Sequence, residues 1–391
     1  MENSGQISDQ PLSPRAQQWA ATMGGHPLSS FSRSAHSSVG APVFVDRLSR
    51  REDREEAQAA SLAEGATLAV GAGNRATEES PDPYRTCFER DRDRILHKSH
   101  AFRRLSGKTQ VFIFPDDHTR NRLTHALEVA QISVALARAL HLNEALAEAI
   151  ALGHDCGHGP GGHASEDAFA PYLTDGFDHA VWGADVALAN LNLCEETLDG
   201  IRNHSWSRPV PATPEGEVVS WADRIAYVCH DFEDAMTSQL VSIDDLSSDV
   251  IAEIGLTRGD WIDSFLEGVI VGTLASGHIA MQDAKAQALA AFRKTNYEKI
   301  YLRPESRQQG QAVVRVLQAL VDFASANPQA CGLTVPDQPE VFIDPQSPEA
   351  LRAAVEWVAG MTDRYACRMA VTHLGWPTDQ LPRGLDGRTS F

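Results

Sequence analysis

Several classes of protein are excluded by what this 391-residue chain lacks. No apolar run approaches the ~20 residues that a bilayer-spanning helix needs, so no membrane partner is expected. The N-terminus, MENSGQISDQ, has no basic stretch leading into an apolar one, and a secretory leader is not expected there. Cysteine is sparse: six residues, scattered, with no CxxC pair, which is not the density of a disulfide scaffold. Reduced thiols in a cytoplasmic protein suit that usage. Positive charge is also short, with 34 Lys and Arg against 53 Asp and Glu and a formal net charge of −19. Nucleic acid is therefore not indicated as a partner, since phosphate backbones need positive potential. An anionic small substrate is still admissible, because a metal ion and a few arginines can reverse the field inside one pocket.

Strand signals are few as well. PEVFI at 339–343 is the best of them, and neither βαβ alternation nor an internal repeat is present. Residues 1–46 are rich in Ser, Gly, Pro and Gln without a sustained period, and read as a mostly disordered tail. RLSRREDREEAQ follows as a short solvated helix. From Cys87 onward the pattern is helical. One helix begins near Arg122, with Leu123, Leu127, Ala130, Val134 and Ala137 as its expected buried stripe. A second, NEALAEAIALGHD, is capped by Asn143 and runs into a glycine-rich loop. A third covers 195–204. A fourth, EGEVVSWADRIAYVCHDFEDA, sets Trp221, Ile225, Val228, Phe232 and Ala235 on an apolar side and Asp223, Tyr227 and Asp231 on the opposite, polar one. Further helical periods are expected at about 243–256, 260–295, 305–325 and 348–375.

The stretch ALGHDCGHGPGGHASEDAF, residues 151–169, concentrates His154, Asp155, His158, His163 and Glu166 around a run of glycines. A solvated loop has no need of so many ionisable groups, and a core segment avoids them. A metal site that also requires a general acid asks for such a collection. His125, the adjacent pair His154-Asp155, and Asp223 are the candidate ligands. Two imidazoles and two carboxylates suit a divalent ion such as Mg²⁺, Mn²⁺, Fe²⁺ or Co²⁺ and leave positions for water and substrate. Two antiparallel helices joined by a short turn would bring His125 to His154-Asp155. Alone, His125 would read as a core histidine and Asp223 as an exposed helix acid. The His-Asp pair followed by GHGPGGH is harder to explain without chemistry, because glycine carries a conformational cost that a plain loop need not bear.

HDCGHGPGGHASE resembles the signature of the HD phosphohydrolase superfamily, and within it the branch of dNTP triphosphohydrolases that includes deoxyguanosine triphosphate triphosphohydrolases. The likeness extends, in order, through FERDRDRILHKSHAFRRLSGKTQVF (88–112), RNRLTHALEVAQI (120–132), GFDHA (176–180), GIRNHS (200–205), ADRIAYVCHDFEDA (222–235) and GMTDRYA (360–366). It implies an all-α fold, an HD-domain helical core with additional C-terminal helices and minor β-hairpin content. Residues 47–240 would form the core, and 241–391 would complete the same catalytic unit.

The resemblance further implies His125, His154, Asp155 and Asp223 as metal ligands and His163 with Glu166 as the catalytic pair. One helical turn separates His163 from Glu166, so a hydrogen bond between them is expected. Arg122 and Arg224 would contact phosphates, His158 and His179 would lie near the α-phosphate, and Gln110, Tyr227 and Asp231 would surround the deoxyribose. The implied reaction splits a dNTP into deoxynucleoside and inorganic triphosphate. A divalent metal lowers the pKa of water and polarises the phosphoryl oxygen, and a carboxylate-held histidine protonates the leaving oxygen. A homo-oligomer and a dNTP activator are implied too. The family often places Phe-Gly or Phe-Ser before the equivalent of His163 and Pro-Pro earlier in the loop, whereas this chain has Gly159-Pro160-Gly161-Gly162. His204 and His230 stay open between a role in the site and helix capping, and Cys156 reads as a small buried filler. The alternatives are an HD phosphohydrolase acting on a monophosphate, cyclic or alarmone nucleotide, and a weakly catalytic protein that senses dNTPs or binds nucleic acid.

Overall fold

The computed structural model describes residues 12–114 and 118–384. These fall into two units, divided after Ser49. In the first, helix α1 (Pro14–Thr22) starts from Ser13, whose Oγ accepts from the Ala16 amide, and Pro14 follows at the position helices favour for proline. Strands β1 (His26–Pro27) and β2 (Arg33–Ser34) then form a small antiparallel hairpin. The expectation of a mostly disordered tail thus misses a capped helix and a hairpin, although no residue of α1 is buried. Residues 1–11 of that expected tail lie outside the described residues.

The second unit is mainly helical. Helices α2 (Arg51–Ser61), α3 (Cys87–Lys98) and α4 (His100–Arg104) lead to α5 (Arg122–Ala139) and α6 (Glu144–Gly153). The α2 helix is not wholly solvated, since Arg51 is buried and its Nε donates to the Asp82 carbonyl. Asn121 and Asn143 cap α5 and α6 with their side-chain oxygens, the second as expected from the sequence. The short α7 (Ala164–Phe169) and α8 (His179–Trp182) precede α9 (Glu195–Asn203) and the long α10 (Pro214–Thr237). Then come α11 (Ser248–Ile254), α12 (Arg258–Ser276), α13 (Asp283–Asn296) and α14 (Pro304–Ala326). The hairpin of β3 (Thr334–Val335) and β4 (Gln338–Phe342) and helices α15 (Pro348–Ala359) and α16 (Asp363–Leu374) complete the unit. No helix among the described residues is long and apolar enough to cross a membrane.

Three expectations are corrected. The buried residues of α5 are Arg122, His125, Ala126, Val129, Ala130, Ile132, Ser133, Leu136 and Ala137, while Leu127 is 48% exposed. The apolar stripe was misplaced because α5 is enclosed on more than one side, with α6 and α10 both packed against it. The run expected at 260–295 is broken at Gly277, which takes a left-handed φ of 73° and ends α12. The run at 348–375 breaks between Gly360 and Thr362, where the Thr362 side chain caps α16.

Two apolar cores fill the unit. One is built by α3, α5, α6, α9, α10, α12 and α13, and the other by α7, α14, α15 and α16. The glycine-rich loop runs from α6 in the first core to α7 in the second. Gly161 (φ 74°) and Gly162 (φ 62°) are required there. A Cβ on Gly161 would lie 2.5 Å from Val313 Cγ1, and one on Gly162 would lie 2.6 Å from Arg122 Nη2. Asp363 clamps the loop to α16, accepting from the Gly161 amide (2.8 Å), the Thr109 amide (2.8 Å) and Thr109 Oγ1 (2.5 Å). Lys108 strengthens the junction from within, donating to the carbonyls of His158 and Ala359. Burial lowers its pKa to about 8.

The Asp363→Ala change strands the buried amides that the carboxylate satisfies, and should cost about 2–4 kcal/mol of stability. Urea unfolding monitored by circular dichroism checks this; a loss under 1 kcal/mol (about the net worth of one ordinary hydrogen bond) would contradict the clamp.

Candidate active site and metal centre

His125 lies one turn into α5, on the same face as Arg122. His154 sits at the C-terminal end of α6, where its Nδ1 donates to the Ala151 carbonyl (2.6 Å). That bond fixes the tautomer, so the lone pair is on Nε2. The Nε2 atom is buried without a hydrogen-bond partner, 3.5 Å from Asp155 Oδ1 and 3.7 Å from Asp223 Oδ1. A lone pair facing two carboxylate oxygens is a poor arrangement unless a cation lies among them. His125 Nε2 reaches Asp223 Oδ1 from the other side at 3.0 Å. The four residues expected to bind metal are therefore together, and their donor set fits a divalent ion.

Charge is managed tightly around this cluster. Burial works to raise the pKa of Asp155, yet Arg122, His154 and His158 hold it well below the usual carboxylate range. Arg122 Nη1 donates to its Oδ2 at 2.7 Å, and His158 Nε2 approaches its Oδ1 at 3.2 Å. Asp223 is likewise lowered against the effect of burial, by its hydrogen bond to His125 and by the nearby His154.

The His163–Glu166 hydrogen bond expected from spacing is not formed. Glu166 Oε1 instead accepts from both His179 Nδ1 (2.6 Å) and the His179 amide (3.1 Å). Two donors on one residue at the start of α8 outcompete a single ring one turn away. His163 remains exposed at the cavity edge, its ring 5.0 Å from that of His158. Protein still surrounds it closely enough that desolvation, with the Arg122 and His179 charges, lowers its pKa to about 4. His179 behaves oppositely: burial would lower it, but the bond to Glu166 raises it. Its ring stacks on His158 at 3.7 Å.

One cavity of about 810 Å³ gathers nearly all the other expected residues. Arg122, His125, Asp155, His158, His163 and His179 line it, as do Gln110, Asp223, Arg224, Tyr227 and Asp231. His154 and Glu166 stand just outside the lining and act on it through Asp155 and His179. A second hollow of about 890 Å³, between the β3–β4 hairpin and α15, contains none of these residues. Many buried polar atoms of the first cavity have no protein partner: Arg122 Nε and Nη2, Arg224 Nε, Gln110 Oε1, Asp231 Oδ1 and His158 Nδ1. Arg224 is held by its guanidinium lying 3.4 Å above the Trp206 ring. Asp231 accepts from Tyr301 Oη (2.5 Å), and burial pushes its pKa up to about 7.

Sequence reading passed over Arg293, Tyr297 and Tyr301, which share this cavity. Arg293 Nε donates to Tyr227 Oη at 2.6 Å. Their i, i+4, i+8 spacing repeats that of Asp223, Tyr227 and Asp231, and would have been a usable signal. His204, left open from sequence, is buried among the candidate metal donors, whereas His230 turns to Glu128 (3.1 Å). Cys156 is a buried free thiol, as expected of a filler.

The HD domain family matches residues 122–228, and the phosphohydrolase-associated domain family matches 279–371. The chain is 41% identical over 324 residues to a deoxyguanosinetriphosphate triphosphohydrolase-like protein of Caldanaerobacter subterraneus, covering 81% of this chain and 93% of the relative. The chain belongs to the deoxyguanosinetriphosphate triphosphohydrolase-like family of HD-domain proteins. Proteins of the same description from Clostridium perfringens and Desulfatibacillum aliphaticivorans are each 36% identical, covering 81% of this chain and 94% and 95% of theirs. This family supports hydrolase activity on a phosphate ester. The HD match spans His125, His154, Asp155 and Asp223, and the associated-domain match spans Arg293, Tyr297, Tyr301 and Asp363.

His154→Ala or Asp155→Ala should lower the bound divalent metal, because each leaves the remaining donors with uncompensated charge. Elemental analysis of the purified variants checks this; wild-type metal content in either would contradict the ligand assignment.

Proposed function

We propose that this chain is a metal-dependent dNTP triphosphohydrolase, cleaving the bond between the 5′-oxygen and the α-phosphorus to release a deoxynucleoside and inorganic triphosphate. The observation that carries this reading is the set of unpartnered buried polar atoms around one cavity. Donors on Arg122 and Arg224 suit phosphate oxygens, and the acceptors Gln110 Oε1 and Asp231 Oδ1 suit a sugar hydroxyl. His125, His154, Asp155 and Asp223 would hold the divalent ion, which supplies charge neutralisation and an acidified water.

The remaining roles belong to side chains of the chain itself. His163 serves as the general acid. Its imidazole is neutral near pH 7 on its own, takes up a proton when a polyphosphate brings compensating negative charge, and gives it to the departing 5′-oxygen. Glu166 fixes the His179 ring beside the phosphate. Tyr227, tied to Arg293, packs under the sugar and leaves a 2′-hydroxyl no room. A cytoplasmic location, self-association and a second dNTP as activator belong to the same reading and rest on the family resemblance alone. The absence of an aromatic before His163 is consistent with the left-handed turn at Gly161 and Gly162, where a side chain would strike Val313 or Arg122.

Incubation of the Mn²⁺-loaded protein with dGTP, the other dNTPs and GTP, followed by chromatography, tests the reaction. Triphosphate and deoxynucleoside should appear together, dGTP should exceed GTP, and His163→Ala should lower kcat by about 10²–10⁴-fold with metal content unchanged. Release of orthophosphate or pyrophosphate would refute the reaction, and equal turnover of GTP would refute the role of Tyr227.

A further inference from the structure

Arg224 makes no hydrogen bond and no ion pair to protein among the described residues, and its Nε is buried without a partner. The chain carries 53 Asp and Glu against 34 Lys and Arg, so acids are not in short supply. Arg122, by contrast, spends an N–H on Asp155. Burial, together with the charge of Arg293, lowers the pKa of Arg224 from the ordinary arginine value. What holds the side chain is Trp206, with the guanidinium carbon 3.4 Å from the centre of the ring.

Trp206 is itself fixed. Its Nε1 donates to the Ser220 carbonyl at 3.1 Å, and the Trp221 ring meets it edge to face at 4.7 Å. Packing alone is a poor account of this residue, because it lines the cavity and is 47% exposed. It is also the first residue after the GIRNHS segment (200–205), so the family resemblance gives it no role.

The manner of holding matters for the chemistry. A guanidinium stacked on a ring keeps its N–H donors in its own plane, directed away from the face beneath it. A carboxylate partner would instead occupy part of that fork and cancel the charge. The indole face therefore fixes the orientation of Arg224 while leaving charge and donors for an anion. A side chain already ordered in this way also loses less freedom when a phosphate arrives.

We propose that Trp206 is a positioning residue for polyphosphate: by stacking on Arg224 it sets the direction of the guanidinium donors, and with it the affinity of the cavity for a phosphate chain. Trp206 acts through Arg224 and not on the phosphates themselves. The inference rests on the reading of Arg224 as a phosphate contact.

Inorganic tripolyphosphate in excess Mg²⁺ is the probe, titrated calorimetrically into the full-length protein and into variants whose folding is checked by circular dichroism. Trp206→Leu keeps apolar bulk but removes the aromatic face, and should weaken binding by about 3–30-fold. Trp206→Phe restores a ring and should recover most of that loss. In an Arg224→Ala background, Trp206→Leu should cause no further loss, since the ring has nothing left to position. Should Trp206→Leu not fold, tryptophan fluorescence decides: tripolyphosphate should change the emission of the wild type and leave that of Trp206→Phe unchanged. Equal affinity in wild type and Trp206→Leu, the same loss with and without Arg224, or equal fluorescence changes in wild type and Trp206→Phe would overturn the role of Trp206 and leave the phosphate reading standing. Absence of tripolyphosphate binding in the wild type would overturn both.

Discussion

Asp155 is gripped from both sides. One oxygen takes the Arg122 guanidinium and the other faces the imidazoles of His154, His158 and His179. A carboxylate this deeply buried stays ionised only because cations and ring nitrogens surround it. The rest of the site is arranged to keep that grip. Helix α5 presents Arg122 and His125 one turn apart, α6 stops at Gly153 so that His154 can bond back to its own helix, and α10 brings Asp223 across from the other side. The loop that follows must pass Arg122 so closely that only glycine fits at position 162.

This local field also resolves the apparent conflict between an acidic chain and an anionic substrate. The net charge of −19 is spread over the whole molecule, while the cavity holds Arg122, Arg224 and Arg293 beside a cluster suited to a divalent ion. Trp206 and Tyr227 keep two of these guanidinium groups in place. Fixed positive groups in a concave site act at lower effective dielectric than the acids on the surface, so the local sign governs binding.

Much of this was legible in the sequence, for physical reasons that differ by element. The α6 helix was readable because Asn143 announces its start and glycine its end. The candidate metal residues stood out because His154-Asp155 in a glycine loop has no economical structural explanation. The stripe on α5 was misread because a helix enclosed on several sides does not display a single apolar face. The partner of Glu166 was misread because spacing along one helix cannot reveal that His179, thirteen residues later, returns with two donors. Arg293, Tyr297 and Tyr301 went unnoticed because their contacts lie on a different helix from the motif. Asp363 was recognised within its segment, but its bonds to Thr109 and Gly161 appear only once the chain is folded.

Anomalous X-ray scattering from crystals of the Mn²⁺-loaded protein tests the central claim most directly. The account predicts a peak among His125, His154, Asp155 and Asp223, with His125 Nε2 turned from Asp223 to the ion and Arg122 still bound to Asp155. A peak elsewhere, or an intact His125–Asp223 hydrogen bond at full Mn²⁺ occupancy, would contradict it.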